Sequence, residues 1–325
     1  MRVLAGDIGG TNARIAIVDV DATAVRIVHK RRFKSRDFPG LAAIIRTFLA
    51  DVADVPQRAC FGIACPIVDG TCHATNLSWT IDIRALANDI GIPRTELIND
   101  LHAVGHGVQR LGAEDLVSLQ EGEPDAQGVI GIIGAGTGLG VAYATPDGND
   151  YHVHASEGGH TSFSARTDLE YGLLGALATR FGHVSAERVV SGPGLVSIYE
   201  YLAAAGVVAE QPAVRAEMEN TDPAAVISGH ALAGTDELSQ RALDVFASAY
   251  GTQAGNLALT VMATGGIYVA GGIAPRIVPK LRDGPFMTAF LDKGRLSDVL
   301  AEVPVRIIVN PAAGLIGAAT VAAQL

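Results

Sequence analysis

The chain has 325 residues, 49% of them hydrophobic and 18% charged, with a mean hydropathy of +0.30. That length suggests roughly two domains, and that composition excludes intrinsic disorder. Acids exceed bases by 34 − 24 = 10 and aromatics make up 5%. This argues against tracking nucleic-acid phosphates, anionic membranes or stacked bases, but not against an anionic cofactor held by backbone N–H groups.

The apolar opening before Asp7 is too short for a signal peptide. Strands are expected from Met1 to Ala5, Ala13 to Val18 and Val25 to Phe33, with a glycine-rich turn from Gly6 to Thr11. Phe38 to Val52 places Leu41, Ile44, Ile45, Phe48 and Leu49 on one helical face. A strand from Ala59 stops at Pro66, Ile83 to Ile90 reads as helix, Glu96 to Ile98 as strand, and Leu101 to Leu111 as helix. Three strands followed by strand–helix alternation imply a mixed sheet covered by helices.

After the polar stretch from Gly122 to Gln127 the pattern restarts, with strands from Val129 to Ile133, Leu139 to Ala144 and Tyr151 to Ala155. Gly6-Asp7-Ile8-Gly9-Gly10-Thr11-Asn12-Ala13 and Ile133-Gly134-Ala135-Gly136-Thr137-Gly138-Leu139 align as strand, glycine turn with threonine, strand. We read this as an internal duplication. Helices are expected from Asp168 to Phe181, Gly194 to Ala205, Asp236 to Met262 and Pro311 to Gln324, with strands from Gly266 to Ala270 and Val305 to Val309. The uncharged stretches from Ala126 to Pro146 and Gly251 to Pro275 are broken by glycines and read as core, not membrane spans. Cys60, Cys65 and Cys72 fit neither a disulfide framework nor a zinc site. The expectation is three buried thiols in a reducing cytoplasm.

Recurrent glycine in a turn between strands lets backbone N–H groups approach phosphate, and Thr11 and Thr137 add hydroxyl donors. One such turn is ordinary hairpin structure; two in equivalent places suggest a clamp on successive phosphates. Neither is a P-loop nor a dinucleotide fingerprint, which disfavours a nicotinamide oxidoreductase. Asp7 beside the first turn either caps it or serves a divalent cation. Asn99-Asp100 stand where a buried strand meets a helix, so Asp100 is a general base or a helix cap. Glu157 with His160 can hydrogen-bond several hydroxyls. Glu187 alone reads as a solvated or Arg-paired helix residue, and His102 and His106 share a helix face without a further metal ligand on it.

Taken in order, these segments resemble the bacterial glucokinase family. They are Asp7-Ile8-Gly9-Gly10-Thr11-Asn12-Ala13-Arg14, Leu97-Ile98-Asn99-Asp100, Gly134-Ala135-Gly136-Thr137-Gly138-Leu139-Gly140, Glu157-Gly158-Gly159-His160, Ser185-Ala186-Glu187-Arg188 with Ser191-Gly192-Pro193-Gly194, and Gly271-Gly272-Ile273. The resemblance spans essentially the whole chain. It implies an α/β protein of the hexokinase/actin-like ATPase fold, with two duplicated mixed-sheet domains around a central cleft. The implied division is a small domain of residues 1–110 plus 311–325 and a large domain of 111–310.

The implied activity is ATP-dependent phosphorylation of glucose at its 6-hydroxyl, with kinases of other hexoses and a non-catalytic sugar sensor as alternatives. Asp100 is the implied base. Asn99, Asp100, Glu157, His160 and Glu187 are the implied sugar ligands. Gly6, Asp7, Ile8, Gly9, Gly10, Thr11, Asn12, Gly136, Thr137, Gly138, Gly271 and Gly272 are the implied ATP contacts, with Asp7 serving Mg²⁺ directly or through water. Polyphosphate or ADP in place of ATP stays open. A cytoplasmic homodimer without nucleic-acid or membrane partners is expected. Thr161-Ser162-Phe163-Ser164 stands where the related repressor–kinase family has a cysteine-rich zinc motif, which disfavours a zinc-dependent kinase or repressor.

Overall fold

The computed structural model describes all residues except 23, 75, 76 and 149. Contacts divide the chain into two compact units. One comprises Met1–Asp115, Asp147–Ala155 and Asn310–Leu325; the other comprises Leu116–Pro146 and Ser156–Val309. Relative to the expected division, residues 111–115, 147–155 and 310 group with the first unit.

The first unit opens with strands β1 (Arg2–Ile8), β2 (Asn12–Val20) and β3 (Val25–Lys34), then helix α1 (Leu41–Leu49) and strand β4 (Arg58–Ile63). A small three-stranded sheet follows, β5 (Ile67–Val68), β6 (Thr71–Ala74) and β7 (Trp79–Asp82), which the sequence reading lacks. Strands of two to four residues carry too little alternation to read, so only the neighbouring fold reveals them. Helix α2 (Ile83–Ile90), strand β8 (Arg94–Asn99) and helix α3 (Asp100–Val108) complete the run. The main sheet is ordered β3-β2-β1-β4-β8, with β1 antiparallel to β2 and parallel to β4.

Strands β9 (Leu116–Gln120), β10 (Ile130–Ala135), β11 (Leu139–Asp147), β12 (Asp150–Ser156), β13 (Gly266–Ala270) and β14 (Val305–Ile308) form a second sheet, ordered β12-β11-β10-β13-β14-β9. Here β10 is antiparallel to β11 and parallel to β13. The run β12-β11-β10-β13-β14 repeats the connectivity of β3-β2-β1-β4-β8, so the duplication read from the glycine turns extends to whole sheets. The remaining helices are α4 (Asp168–Phe181), α5 (Gly192–Ala204), α6 (Pro212–Asn220), α7 (Pro223–Ala233), α8 (Glu237–Val261), α9 (Val278–Arg282), α10 (Pro285–Leu291), α11 (Ser297–Ala301) and α12 (Ala313–Gln324). Among the described residues no helix is long and apolar enough to cross a membrane.

Two sequence expectations are corrected. Helix α12 begins at Ala313, not Pro311, because the Asn310 side chain accepts from Ala312 N at 2.8 Å and forms the turn that precedes it. Cys65 and Cys72 are joined as a disulfide, and only Cys60 is a free buried thiol. The β5–β6 hairpin, in which Ile67 pairs with Cys72, brings the two Cα atoms to 6.1 Å, within bridging range.

One packing feature fixes the start of α3. A Cβ on Gly317 would lie 1.7 Å from the Ala103 carbonyl oxygen, and one on Gly107 would lie 2.2 Å from that of Ala313. Helices α3 and α12 thus meet backbone to backbone, over a small-residue core that includes Ala103, Ala318, Ala319 and Ala322.

Candidate functional site

In the first unit, the turn after β1 is closed by Gly9 N donating to Asn12 O at 2.9 Å. Ser35 braces it from outside: its N–H donates to Thr11 O at 3.0 Å and its hydroxyl to Gly9 O at 2.8 Å. Asp7 does not cap this turn. Its Oδ2 accepts from Arg14 Nη1 at 2.7 Å, and its Oδ1 lies 3.8 Å from where a Gly314 Cβ would be. Sequence reading named Asp7 and missed its partner, which is directly across the hairpin in register.

The same unit shows which side chain caps α3. Asn99 is the helix cap: its Oδ1 accepts from Leu101 N at 2.9 Å and His102 N at 3.4 Å. Asp100 is the first helical residue, half-buried, with Oδ1 accepting from Leu101 N at 2.8 Å. The capping role is therefore Asn99's, and the Asp100 carboxylate stands at a helix N-terminus, where negative charge is stabilised.

His102 and His106 have companions that their own helix face does not show. Their rings lie 5.1 Å apart, and those of His152 and His154 on β12 lie 4.6 Å apart. Burial holds the His106 pKa down at about 4, with His102 and His152 adding to the depression and Asp150 opposing it. Burial and the charges of His152 and His154 likewise lower His102, against a hydrogen bond to the Val153 backbone. Among the described residues no group of three or more His, Cys, Asp or Glu is set to hold a metal ion.

In the second unit, two of the predicted segments meet at Leu139. Its N–H donates to Glu187 Oε2 at 2.9 Å. A Cβ on Gly159 would lie 1.8 Å from its carbonyl, so the segment from Glu157 to His160 packs directly on β11. Glu157 Oε2 and His160 Nε2 are 3.8 Å apart, both well exposed. Glu187 is thus half-buried and pairs with no Arg among the described residues: it closes over the second glycine turn, 2.4 Å from where a Gly138 Cβ would be. Only glycine at 138 permits that approach.

The turn itself is closed by Gly136 N to Gly138 O at 2.8 Å and tied to α5 by Gly192 N to Gly136 O at 2.8 Å. Ser191 caps α5, accepting from Gly194 N at 3.1 Å, and its hydroxyl donates to Glu187 O at 2.7 Å. Beside it opens a cavity of about 300 Å³ lined by Thr137, Glu187, Arg188, Ser191, Ser197 and Arg180. Gly271 has φ +84°, and a Cβ there would lie 2.3 Å from Ala135 O, which accepts from Ile273 N at 3.2 Å. Gly272 has no neighbour where a Cβ would stand.

Sequence reasoning missed Tyr250. This fully buried side chain on α8 accepts from Ala135 N at 3.1 Å and shares its one proton between the carbonyls of Ile133 (3.2 Å) and Ala270 (3.3 Å). Burial pushes its pKa well above the usual phenolic range. It ties together the ends of β10 and β13, from which the turns at Gly136–Gly138 and Gly271–Gly272 emerge. A buried hydroxyl on an apolar helix is the only sequence signal for it.

The glucokinase family model matches residues 4–325. A glucokinase of Nostoc punctiforme is 44% identical over 338 residues, covering 99% of each chain. The crystal structure of a glucokinase from an Antarctic psychrotroph is 34% identical, covers 100% of this chain and 99% of its own, and superposes with a TM-score of 0.85. A ROK family glucokinase from Streptomyces griseus, in complex with glucose and AMPPNP, shares the fold at 22% identity, full coverage of both chains and a TM-score of 0.68. With the family model matched from residue 4 to residue 325 and a relative 44% identical along both chains, this chain belongs to the glucokinase family.

Proposed function

We propose that the protein transfers the γ-phosphoryl group of ATP to the 6-hydroxyl of glucose, giving glucose 6-phosphate for glycolysis in the cytoplasm. Asp100 accepts the proton of the 6-hydroxyl as that oxygen attacks phosphorus in line and ADP leaves. Asn99, whose Oδ1 is committed to capping α3, meets a sugar hydroxyl through its amide N–H. Glu157, His160 and Glu187 take ring hydroxyls, since a carboxylate makes stronger hydrogen bonds than a neutral acceptor.

The turns Gly6-Asp7-Ile8-Gly9-Gly10-Thr11-Asn12 and Gly136-Thr137-Gly138 present backbone N–H and threonine hydroxyls to the phosphates, and Gly271-Gly272 meets the adenosine. When bound, Mg²⁺ would neutralise charge building on the phosphates. Asp7 would hold it, directly or through water, alongside phosphate oxygens, in keeping with the habit of Mg²⁺ to use one or two carboxylates. The two units are the two lobes of the kinase, and the working form is a homodimer acting without nucleic acid or membrane.

The observation that carries this reading is the division of labour at the start of α3. Asn99 spans Leu101 N and His102 N as the cap, and Asp100, sharing Leu101 N, places a half-buried carboxylate beside it at the helix N-terminus. A coupled assay across hexoses and phosphoryl donors tests it, with ATP and glucose expected as the best pair. Asp100→Asn should fold and bind glucose while kcat falls by about 10²–10⁴. A folded, glucose-binding variant within about tenfold of the parent kcat refutes the role.

A further inference from the structure

Cys65 and Cys72 form a bridge for which the proposed reaction has no use. Seven positions separate them, so the covalent ring encloses little more than the β5–β6 hairpin. That hairpin is weak by itself. Its ladder has two pairs, Ile67 with Cys72 and Val68 with Thr71, and it turns through Asp69 and Gly70, both at positive φ. Asp-Gly suits such a turn, but a ladder of that length is marginal in water without other ties. On the far side β7 adds four pairs to β6, among them Cys72 with Ile81 and Ala74 with Trp79. The order of the sheet β5-β6-β7 thus rests on β7 at one edge and on the bridge at the other.

The other end of that tie is the end of β4, where the candidate site begins. Ile63 pairs with Ile8 on one side and with Asn99 on the other. Ile8 precedes the turn at Gly9, and Asn99 precedes Asp100. A Cβ on Gly62 would lie 3.7 Å from Asp100 Cα. Beyond Ile63, Ala64 N donates to Ile8 O at 3.3 Å and Cys65 N to Ile63 O at 2.8 Å. Cys65 therefore anchors the hairpin two residues past the strand end that borders Asn99 and Asp100. In a reducing compartment such as the one proposed here, persistent structural bridges are rare, and the disulfides that do form are catalytic or redox-sensing. Cys65 is 5% exposed and Cys72 0%, and such burial argues against a catalytic thiol. The sulfurs become reachable when the hairpin lifts, and Cys65, the more exposed of the two, is met first.

We propose that Cys65–Cys72 is a thiol–disulfide switch, opened and closed by a dithiol/disulfide couple, which orders the sheet β5-β6-β7 beside Asn99 and Asp100 when closed and frees it when open. In the opening direction a thiolate of the dithiol attacks Cys65 Sγ. The Cys65–Cys72 bond breaks, and its electron pair leaves on Cys72 Sγ, which takes a proton. The second sulfur of the dithiol, as thiolate, then attacks the first, forming the disulfide of the couple and releasing Cys65 Sγ, which takes a proton in turn. Two electrons and two protons pass to the protein, and the reverse sequence closes the bridge. Glucose binding to the open form has to order the sheet as well, so the open form binds glucose more weakly. This weakening rests on the reading of Asn99 and Asp100 as sugar ligands; the exchange itself does not.

Trp79, the one tryptophan of the chain, stands on β7 opposite Ala74, so its emission reports on this sheet without any turnover. The test equilibrates the protein with reduced and oxidised dithiothreitol at a series of ratios, without oxygen, and divides each sample. One part is acid-quenched, unfolded and alkylated for peptide mass, one gives the Trp79 emission, and one gives initial rates varied separately in glucose and ATP. The parent should pass in one two-electron step from a single alkylated cysteine, Cys60, to all three. At the same midpoint Trp79 emission should shift to the red, and glucose KM should rise at least about threefold with ATP KM and kcat within about twofold. Cys72→Ala should show the glucose KM of the open form at every ratio, and Cys60→Ala should switch like the parent. Three alkylated cysteines at the most oxidising ratio, a bridge that involves Cys60, or a glucose KM that does not follow the alkylation overturns the proposal. So does a Cys72→Ala glucose KM that still moves with the ratio. Should that variant melt early, the parent series decides alone. Failure of the exchange leaves the kinase reading standing. Absence of glucose phosphorylation at every ratio fails that reading alone, while alkylation and emission still report the switch.

Discussion

Tyr250→Phe separates a structural hydroxyl from one that shapes the nucleotide turns. The end pair of the β10–β11 hairpin, Ala135 and Leu139, takes both its N–H partners from outside the ladder: Tyr250 for Ala135 and Glu187 for Leu139. Phenylalanine keeps the ring and its edge contacts with Phe246 and Phe286, so no cavity beyond one oxygen opens. The buried Ala135 N–H is left without its acceptor, at a cost of about 1–3 kcal/mol. For a unit of this size that is a fall in Tm of about 2–12 °C. Losing the tie between β10 and β13 also loosens the bases of the turns at Gly136–Gly138 and Gly271–Gly272. A misplacement costing about 1.4 kcal/mol in nucleotide binding raises the KM for ATP about tenfold. Glucose KM should stay near the parent value, because the Leu139–Glu187 contact is untouched. The assay is a thermal melt together with initial rates varied separately in ATP and glucose. An unchanged Tm and ATP KM, or an equal rise in both KM values, refutes the reasoning.

Glu187→Gln keeps the shape and one acceptor but removes the charge facing Leu139 N; glucose KM should rise by about 10- to 150-fold, in line with losing a charge-assisted contact worth about 1.5–3 kcal/mol, and an unchanged KM for glucose would contradict its role. Gly317→Ala drives a methyl against the Ala103 carbonyl, so the helix pair that presents Asp100 must separate; a marked fall in Tm is expected, and a neutral result would mean that α3 and α12 can part freely. The His102–His106 pair gives a pH dependence. Both rings are held neutral in the fold below their ordinary pKa of 6.5, His106 down to about 4. The unfolded chain therefore binds protons that the folded one refuses, and stability present above pH 6.5 is lost as pH falls toward 4. Tm measured across that window should drop for the parent and drop less for His106→Gln; equal slopes would show that other groups carry the acid sensitivity.

The parts of the fold written in local pattern were legible. Ile83–Ile90 is a helix with the bounds the sequence implies, and α8 runs from Glu237 to Val261 within the expected Asp236 to Met262. The repeated glycine turns announced a duplication that holds at the level of strand order in both sheets. What escaped was written in long-range pairing. The β5–β7 sheet consists of strands two to four residues long, and the Cys65–Cys72 bridge depends on their register. Strand β9 pairs with β14 from nearly two hundred residues away. Helices α9, α10 and α11 are five to seven residues long and give too few turns to count, and α7, with apolar and small residues all round, shows no helical face; α6 was also unread.

The candidate site divides along the same line. Residues that act through their own turn, such as Gly9 and Gly136, could be named from neighbours in sequence, because the backbone that needs them is their own; the cap of α3, looked for at Asp100, is Asn99. Residues that act through someone else's backbone could not. Glu187 reads in isolation as a surface acid; it becomes intelligible only once Leu139 N, forty-eight positions earlier, is found to donate to it. Tyr250 is invisible for the same reason, since Ala135 and Ala270 share nothing in sequence except the hydroxyl that joins them. Arg14 lies in between: it stands inside the first motif, but its bond to Asp7 depends on the hairpin register that places them across from each other. That bond bears on the cation. One Asp7 oxygen is already engaged by a guanidinium, so a cation held directly by this carboxylate would have to share it with Arg14. A water-mediated contact leaves the pair intact, and it also suits an ion that dehydrates reluctantly. The two arrangements differ in their response to Arg14→Lys. A lysine preserves the charge but not the planar fork. If the cation contact is through water, this swap should shift the Mg²⁺ dependence of the rate by less than about threefold, an allowance of roughly 0.65 kcal/mol. A larger shift would mean that the metal and the guanidinium share one carboxylate.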